Sequence, residues 1–421
     1  MTSTPTKPSS TTSTTAPSPA LPDGAAVTAR RENVLADLYR FEDVLSAEER
    51  AVRDRVRAWC DEAVLPVAND HWQRAQFPFD LVPGYGRLGV AGGSLRGPGC
   101  PGLSALAEGL VAAEFARADG SVSTFNVVHS GLAMASIGLL GAEEQQARWL
   151  PAMARAEKLG AFALTEPDHG SDVVRLETRA RRDGDSYVLH GAKRWIGNGS
   201  VADVVVVWAR DDDGDVGGFV VEHGPEGTPG YQASVITGKS GNRAVWQAEI
   251  ALDGVRVPAD NRLANAHTFA DTAKVLTKSR QSVAWEGLGH ATAAYEAAVA
   301  YVAQRQQFGK PLAAFQLVQN KLSTMLSDII GMQFLCLRMA QLQEEGRAEL
   351  PTAALGKLHT ASAARRVLAD ARDLLGGNGL LLDYHVARHH ADMEAVYTYE
   401  GTDTVQSLIV GREITGIGAF A

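Results

Sequence analysis

The chain has 421 residues with 45% hydrophobic and 21% charged content, enough for about three domains of ordinary globular protein. Its formal net charge of −9 and pI near 5.7 give none of the basic footprint that nucleic-acid binding requires. Cys60, Cys100 and Cys336 stand apart, with no CxxC and no His at metal-ligand spacing, so neither a zinc site nor a disulfide framework is expected.

Residues 1–24 are almost wholly Ser, Thr, Pro and Ala, a composition that buries too little apolar surface to offset its ordering entropy. A disordered tail with a short lead-in is expected over 1–39. The tail has no arginine before Arg30, no amphipathic pattern and no apolar core of a secretory signal, and no uninterrupted apolar run spans a bilayer. A soluble, bacterial-type cytoplasmic protein is expected rather than one of an organellar matrix or a membrane.

Ser46 with Glu49 spells a capping box, and Val52, Val56, Trp59 and Ala63 recur at helical spacing until Pro66, which is expected to end the run. Gly-Pro-rich linkers near 83–86 and 97–102 precede two more apolar helical runs, Leu103–Ala118 and Val127–Leu140. Residues 40–160 therefore read as a helical domain. The period changes after the Asp183-Gly184-Asp185 turn: Ser186–Trp195, Val204–Trp208, Gly218–Val221 and Val245–Ala251 are strand-like, which makes 161–262 a small β domain. From 263 to 421 long helical patterns return, broken at Gly309-Lys310-Pro311, Pro351 and Gly376-Gly377, as in an antiparallel bundle. No GxGxxG follows a strand, so a Rossmann domain is not supported.

Near the C-terminus, Tyr-Thr-Tyr-Glu-Gly-Thr-Asp-Thr at 397–404 places Glu400 between aromatic residues and a glycine, before the apolar run Val405, Leu408, Ile409 and Val410. A carboxylate beside a buried helix would have its charged form disfavoured, which suits a general base. A surface Glu capping a helix is the other reading of the same residues.

Ala163-Leu164-Thr165-Glu166-Pro167-Asp168-His169-Gly170-Ser171-Asp172 resembles the acyl-CoA dehydrogenase family, and four further stretches agree in order. They are Lys193-Arg194-Trp195-Ile196-Gly197-Asn198, Arg305-Gln306-Gln307-Phe308-Gly309, Leu374-Leu375-Gly376-Gly377-Asn378-Gly379 and Tyr399-Glu400-Gly401-Thr402. Gly92-Gly93-Ser94, Gly99-Cys100-Pro101-Gly102 and the ending Gly411–Ile417 resemble the branch holding glutaryl-CoA dehydrogenases and plant-type short-chain acyl-CoA oxidases.

The resemblance implies an α+β fold, with an N-terminal helical domain, a small β-barrel or sandwich and a C-terminal four-helix bundle. It implies FAD, held at Leu164, Thr165, Gly170, Ser171, Trp195 and Ile196. An arm carrying Arg305 and Phe308 would reach into a neighbouring subunit, and Gln316, Leu375, Gly376, Gly377, Thr402 and Thr404 would complete the cofactor site. An arginine fork suits phosphate oxygens. A homotetramer is thereby implied, with an electron-transfer flavoprotein as the expected acceptor. Ser171, Arg280 and Gly401 would contact the acyl-CoA. The implied reaction is α,β-dehydrogenation, with Glu400 as base and its own N–H among the thioester oxyanion donors. Some relatives take the base from the residue before the CoA arginine; that residue here is Ser279, which leaves Glu286 as a fallback.

The resemblance also bears on substrate. Glutaryl-CoA dehydrogenases pair the distal carboxylate with an arginine whose position here is Ser123, and no cation replaces it. A buried carboxylate without a partner is costly, so a short neutral acyl chain is expected. Phe125 either limits pocket depth or packs in the core, and Gly197 stands where the family more often has Thr, which would remove one hydrogen bond to the flavin. The alternatives are a short-chain acyl-CoA oxidase, a decarboxylating glutaryl-CoA dehydrogenase, and a non-catalytic flavin-binding regulatory protein.

Overall fold

The computed structural model describes residues 38–224 and 226–420, so the reading of residues 1–24 as a disordered tail lies outside the described residues. The first helix, α1 (Ala47–Trp59), starts at Ser46, whose hydroxyl accepts from Glu49 N while the Glu49 carboxylate accepts from Ser46 N. Pro66 does not end this helix. A π-turn over Cys60–Val64 widens the ladder, with Leu65 N donating to Cys60 O, and Pro66 falls in the first turn of α2 (Leu65–Arg74), where its missing N–H costs nothing.

The stretch 83–86, expected as a linker, lies inside α3 (Val82–Leu88). Its proline again occupies a first turn. Its glycines serve close packing: a Cβ at Gly84 would lie 2.8 Å from the Trp59 ring, and one at Gly86 only 2.2 Å from Arg155 O. After the irregular 97–102 segment come α4 (Ala105–Ala118) and α5 (Gly120–Asn126), the latter running through a π-segment Val127–Met134 into α6 (Ala135–Leu140). Gly120–Leu140 is long and apolar enough to cross a membrane, but 89% of its most apolar window is buried inside the protein, as a core helix would be. Phe125 belongs to that core: it stacks on Phe77 at 4.9 Å and meets Tyr85 edge-on. The helical layer closes with α7 (Glu143–Ala154).

The strands β1 (Gly160–Ala163), β2 (Arg179–Asp183), β3 (Ser186–Gly197), β4 (Val204–Arg210), β5 (Val216–Glu222), β6 (Tyr231–Val235) and β7 (Gln247–Pro258) form one curled sheet. The order is β1-β4-β2-β3-β7-β6 with β5 also on β4, and β1 runs parallel to β4. The unbroken apolar run of β4 is explained by burial on both faces. Val204, Val206 and Trp208 join the core of the helical layer, whereas Val205, Val207 and Ala209 join the core of the sheet.

Beyond the sheet, α8 (Phe269–Gln304), α9 (Gln316–Glu344), α10 (Leu350–Leu374) and α11 (Val386–Thr398) pack together as a bundle. Between α8 and α9 the chain makes a two-stranded hairpin, β8 (Gln306–Gln307) and β9 (Lys310–Pro311). The last helix, α12 (Asp403–Thr415), lies on α10. It is not the buried helix expected from its apolar run: Gln406 is its buried residue, and Ile414 is exposed.

Candidate active site

The turn between α11 and α12 holds Glu400 in the left-handed region at φ 56°, an arrangement a non-glycine residue adopts only under constraint. The constraint comes from three helices. Arg280 Nε of α8 donates to Glu400 O at 2.9 Å. Gln406 Nε2 of α12 donates to Glu400 O and Gly401 O, both at 2.9 Å. Lys357 Nζ of α10 donates to Tyr399 O and Gly401 O. Gly401 follows at φ 89°, and a Cβ there would sit 2.5 Å from Gln406 Nε2.

These donors all grip the backbone. The Glu400 carboxyl keeps Oε2 buried with no hydrogen-bond partner among the described residues. Burial pushes its pKa up, against the opposing pull of Arg280, the Ser279 hydroxyl and Lys357. Lys357 is itself driven down to about 7 by burial. The result is a buried carboxyl with an unpartnered oxygen, on a turn clamped through its backbone.

Beneath the turn, Tyr399 OH donates to Glu286 Oε2 at 2.8 Å and Ser123 Oγ donates to Oε1 at 2.6 Å. Between α4, α5 with its π-segment, and α8 lies a small cavity of about 10 Å³ whose wall includes Val111, Asn126, Val127, Ser130 and Ser282. Ser282 is one turn beyond Ser279 on α8.

On the sheet, Trp195 is half exposed with φ 63°, and the ladder slips between Lys193 and Ile196 so that the ring turns out of β3. Thr165 O accepts from Arg194 N at 2.9 Å, which sets the loop after β1 beside this bulge. Glu166 shapes the loop from inside, accepting from Glu177 N, Thr178 N and Lys193 Nζ. Gly170 and Ser171 are exposed on the same loop. Leu164 and Ile196 are buried, so they can offer a ligand only backbone atoms. Gly197 has a partner: a Cβ there would lie 2.6 Å from Val128 Cγ2, so the site is shaped around Val128 and has no room for Thr.

The remaining expected residues lie elsewhere in the chain. Arg280 and Gln304 are 24 residues apart on the same helix, about 36 Å of rise, so Arg305 and Phe308 stand far from Glu400 of their own chain. Phe308 is 92% exposed at φ 52°. Gln316 opens α9 beside this hairpin, and Asn378 Nδ2 donates to Tyr301 OH at 3.0 Å, which ties the Gly376-Gly377 turn to the same end. A Cβ at either glycine would meet open space, and Leu375 is buried. Near Glu400, Thr402 caps α12 by accepting from Val405 N, and Thr404 is exposed in the first turn.

Lys357, Gln406, Tyr399 and the Glu166–Lys193 pair escaped the sequence reading as site residues. Lys357 had a signal, since it stands in the apolar stripe of Ala353, Ala354, Ala361 and Ala364.

Comparison with known proteins agrees along the chain. The family models described as acyl-CoA dehydrogenase N-terminal, middle and C-terminal domains match residues 46–157, 161–255 and 269–415. The short-chain specific acyl-CoA dehydrogenase of Clostridium acetobutylicum is 32% identical over 88% of this chain and 98% of its own. Glutaryl-CoA dehydrogenase from Mycobacterium smegmatis superposes with TM-score 0.88 at 40% identity, covering 91% of this chain and 99% of that one. A glutaryl-CoA dehydrogenase from the same organism in complex with FADH2 gives 0.89 at 36%, covering 92% and 99%. A chain in a structure of the electron transferring flavoprotein of Acidaminococcus fermentans gives 0.84 at 29%, covering 88% and 98%.

Proposed function

This chain belongs to the acyl-CoA dehydrogenase family of oxidoreductases, and from that premise we propose that it is an FAD-dependent dehydrogenase of a short, neutral acyl-CoA thioester with Glu400 as the α-proton base. The observation that carries the base assignment is the Glu400 carboxyl, with a buried, unpartnered oxygen on a clamped turn. Its raised pKa brings its proton affinity nearer that of a working base. Arg280 and Lys357 lie close enough to favour its charged form. Ser279 has no acid to contribute, and Glu286 is already engaged by Ser123 and Tyr399. The Glu400 N–H is the donor we assign to the thioester oxygen, so one turn supplies both base and oxyanion stabilisation.

The fit of FAD is supported by the exposed Trp195 ring, the open surface at Gly376 and Gly377, and the exposed Arg305 and Phe308. Leu164, Thr165, Gly170, Ser171, Trp195 and Ile196 would hold its ring end, with Thr402 and Thr404 near Glu400. Arg305, Phe308, Gln316, Leu375, Gly376 and Gly377 would hold the diphosphate and adenine end of a neighbouring subunit's cofactor. FAD, when bound, supplies the acceptor for the β-hydrogen. Ser171, Arg280 and Gly401 would position the CoA thioester. The exposed apolar residues Phe308, Leu317, Leu380 and Ile414 support assembly of several copies, as in a homotetramer. An electron-transfer flavoprotein is the proposed acceptor and the cytoplasm the proposed location.

Similarity to a short-chain specific relative argues for a short chain, and Ser123 with Glu286 argues against a distal carboxylate. The test is an anaerobic titration with butyryl-, isobutyryl-, hexanoyl- and glutaryl-CoA, followed at the flavin absorbance. Bleaching by butyryl-CoA and not by glutaryl-CoA is expected. Bleaching by glutaryl-CoA alone would transfer the assignment to the decarboxylating reading.

A further inference from the structure

Glu108 in the cavity wall is paired with Lys278, whereas Glu286, a turn beyond the wall, is a buried carboxyl that the proposed base chemistry does not use. It is wholly buried, and among the described residues no ion pair neutralises it. Ser123 Oγ and Tyr399 OH, both neutral, hold its two oxygens. Its place relative to the cavity follows from helical spacing. On α5 and its π-segment, Asn126, Val127 and Ser130 line the cavity, and Ser123 lies one turn earlier on the same face. On α8, Ser282 lines the cavity, and Glu286 lies one turn later. The Ser123–Glu286 bond thus joins the two helices one turn past the cavity-lining residues, and Tyr399 ties it to the turn that carries Glu400. From Ser279 to Glu286 is seven residues, about 10 Å of rise.

We propose that Glu286 is the floor of the acyl pocket and a specificity-determining residue, rejecting acyl groups that end in a carboxylate and admitting neutral ones. The inference rests on the acyl-CoA reading above. A carboxylate brought down to this floor would lose its water and meet a second carboxyl and two neutral hydroxyls, while the nearby Lys357 already faces both Glu286 and Glu400. Desolvation and like-charge repulsion then act in the same direction. Specificity here arises from an unfavourable contact for the wrong substrate rather than an extra contact for the right one.

The groups facing Glu286 are Ser123 and Thr124 of α5, Tyr399 and Glu400 of the turn, Lys357 of α10, and His290 one turn further along α8. Burial raises the Glu286 pKa to about 7, so its charge grows across neutrality and repulsion of a distal carboxylate grows with it. Lys357 and Glu400 titrate nearby, so the comparison between proteins isolates Glu286.

The experiment measures dissociation constants of butyryl-CoA and glutaryl-CoA by calorimetry on the FAD-loaded protein at pH 6 and pH 8. It uses the wild type, Glu286→Gln, and Glu286→Ala as a second variant. The expected result is that Glu286→Gln lowers the glutaryl-to-butyryl discrimination by ~10-fold or more, chiefly through tighter glutaryl-CoA binding, and weakens its dependence on pH. Glu286→Ala should change the ratio in the same direction. A ratio that either folded variant leaves unchanged at both pH values overturns the proposal. Failure of every thioester to bleach the wild-type flavin would refute the dehydrogenase reading instead, and the binding ratio would still report on the floor.

Discussion

At the scale of single residues, the site is made by side chains that hold the backbone rather than the substrate. Lys357 spends a buried ammonium on the carbonyls either side of Glu400, and burial leaves that ammonium with a pKa of about 7. Lys357→Met removes the clamp while keeping the volume. We expect stopped-flow flavin reduction by butyryl-CoA to slow by about 10- to 100-fold, the scale of a misplaced catalytic group. A rate within twofold of wild type would show that Arg280 and Gln406 suffice. Glu286 makes a second prediction, because the fold favours its neutral form. Its stabilising effect is complete below the unfolded carboxyl pKa and is lost as pH rises to about 7, by on the order of 3 kcal/mol. Thermal denaturation should therefore show Glu286→Gln gaining on wild type between pH 5 and pH 8, and a gap independent of pH would contradict this. Glu400 could be picked out from the sequence because its motif is local. Lys357 could not be placed, since its partners are carbonyls more than 40 residues away.

At the scale of elements, several breaks expected from local punctuation lie inside helices. Pro66 and Pro83 both look like breaks, but each occupies a first turn where no N–H is needed. The Gly84 and Gly86 pair looks like a linker, but Trp59 and Arg155 press on it. Gly197 is the most testable case. A Thr there would meet Val128 Cγ2, so Gly197→Thr should cost about 1–3 kcal/mol, with Val128→Ala in the same chain recovering most of it. Thermal shift on the two singles and the double measures this cycle. Additive losses would mean that the two sites do not share the space. The strand β4, by contrast, was plain in the sequence, because burial on both faces leaves an unbroken run of Val.

At the scale of the whole molecule, the helix, strand, helix order was legible because each change of hydrophobic period coincides with a change of layer. The proposed division of the cofactor site between copies came from the resemblance and not from spacing. The length of α8 supports it, with Arg280 on the helix and Arg305, just past its end, about 36 Å away. If the far end serves a neighbouring copy, Arg305→Ala with Phe308→Ala should purify with less FAD at 450 nm and a smaller mass by light scattering, and full flavin in a monomer would refute the arrangement. The central claim is that Glu400 is the base. Anaerobic addition of butyryl-CoA to the wild type and to Glu400→Gln, each with its FAD content measured first, tests this most directly. The wild type should bleach, and the variant, with its flavin retained, should reduce at least ~100-fold more slowly. Equal bleaching by the two proteins would contradict it.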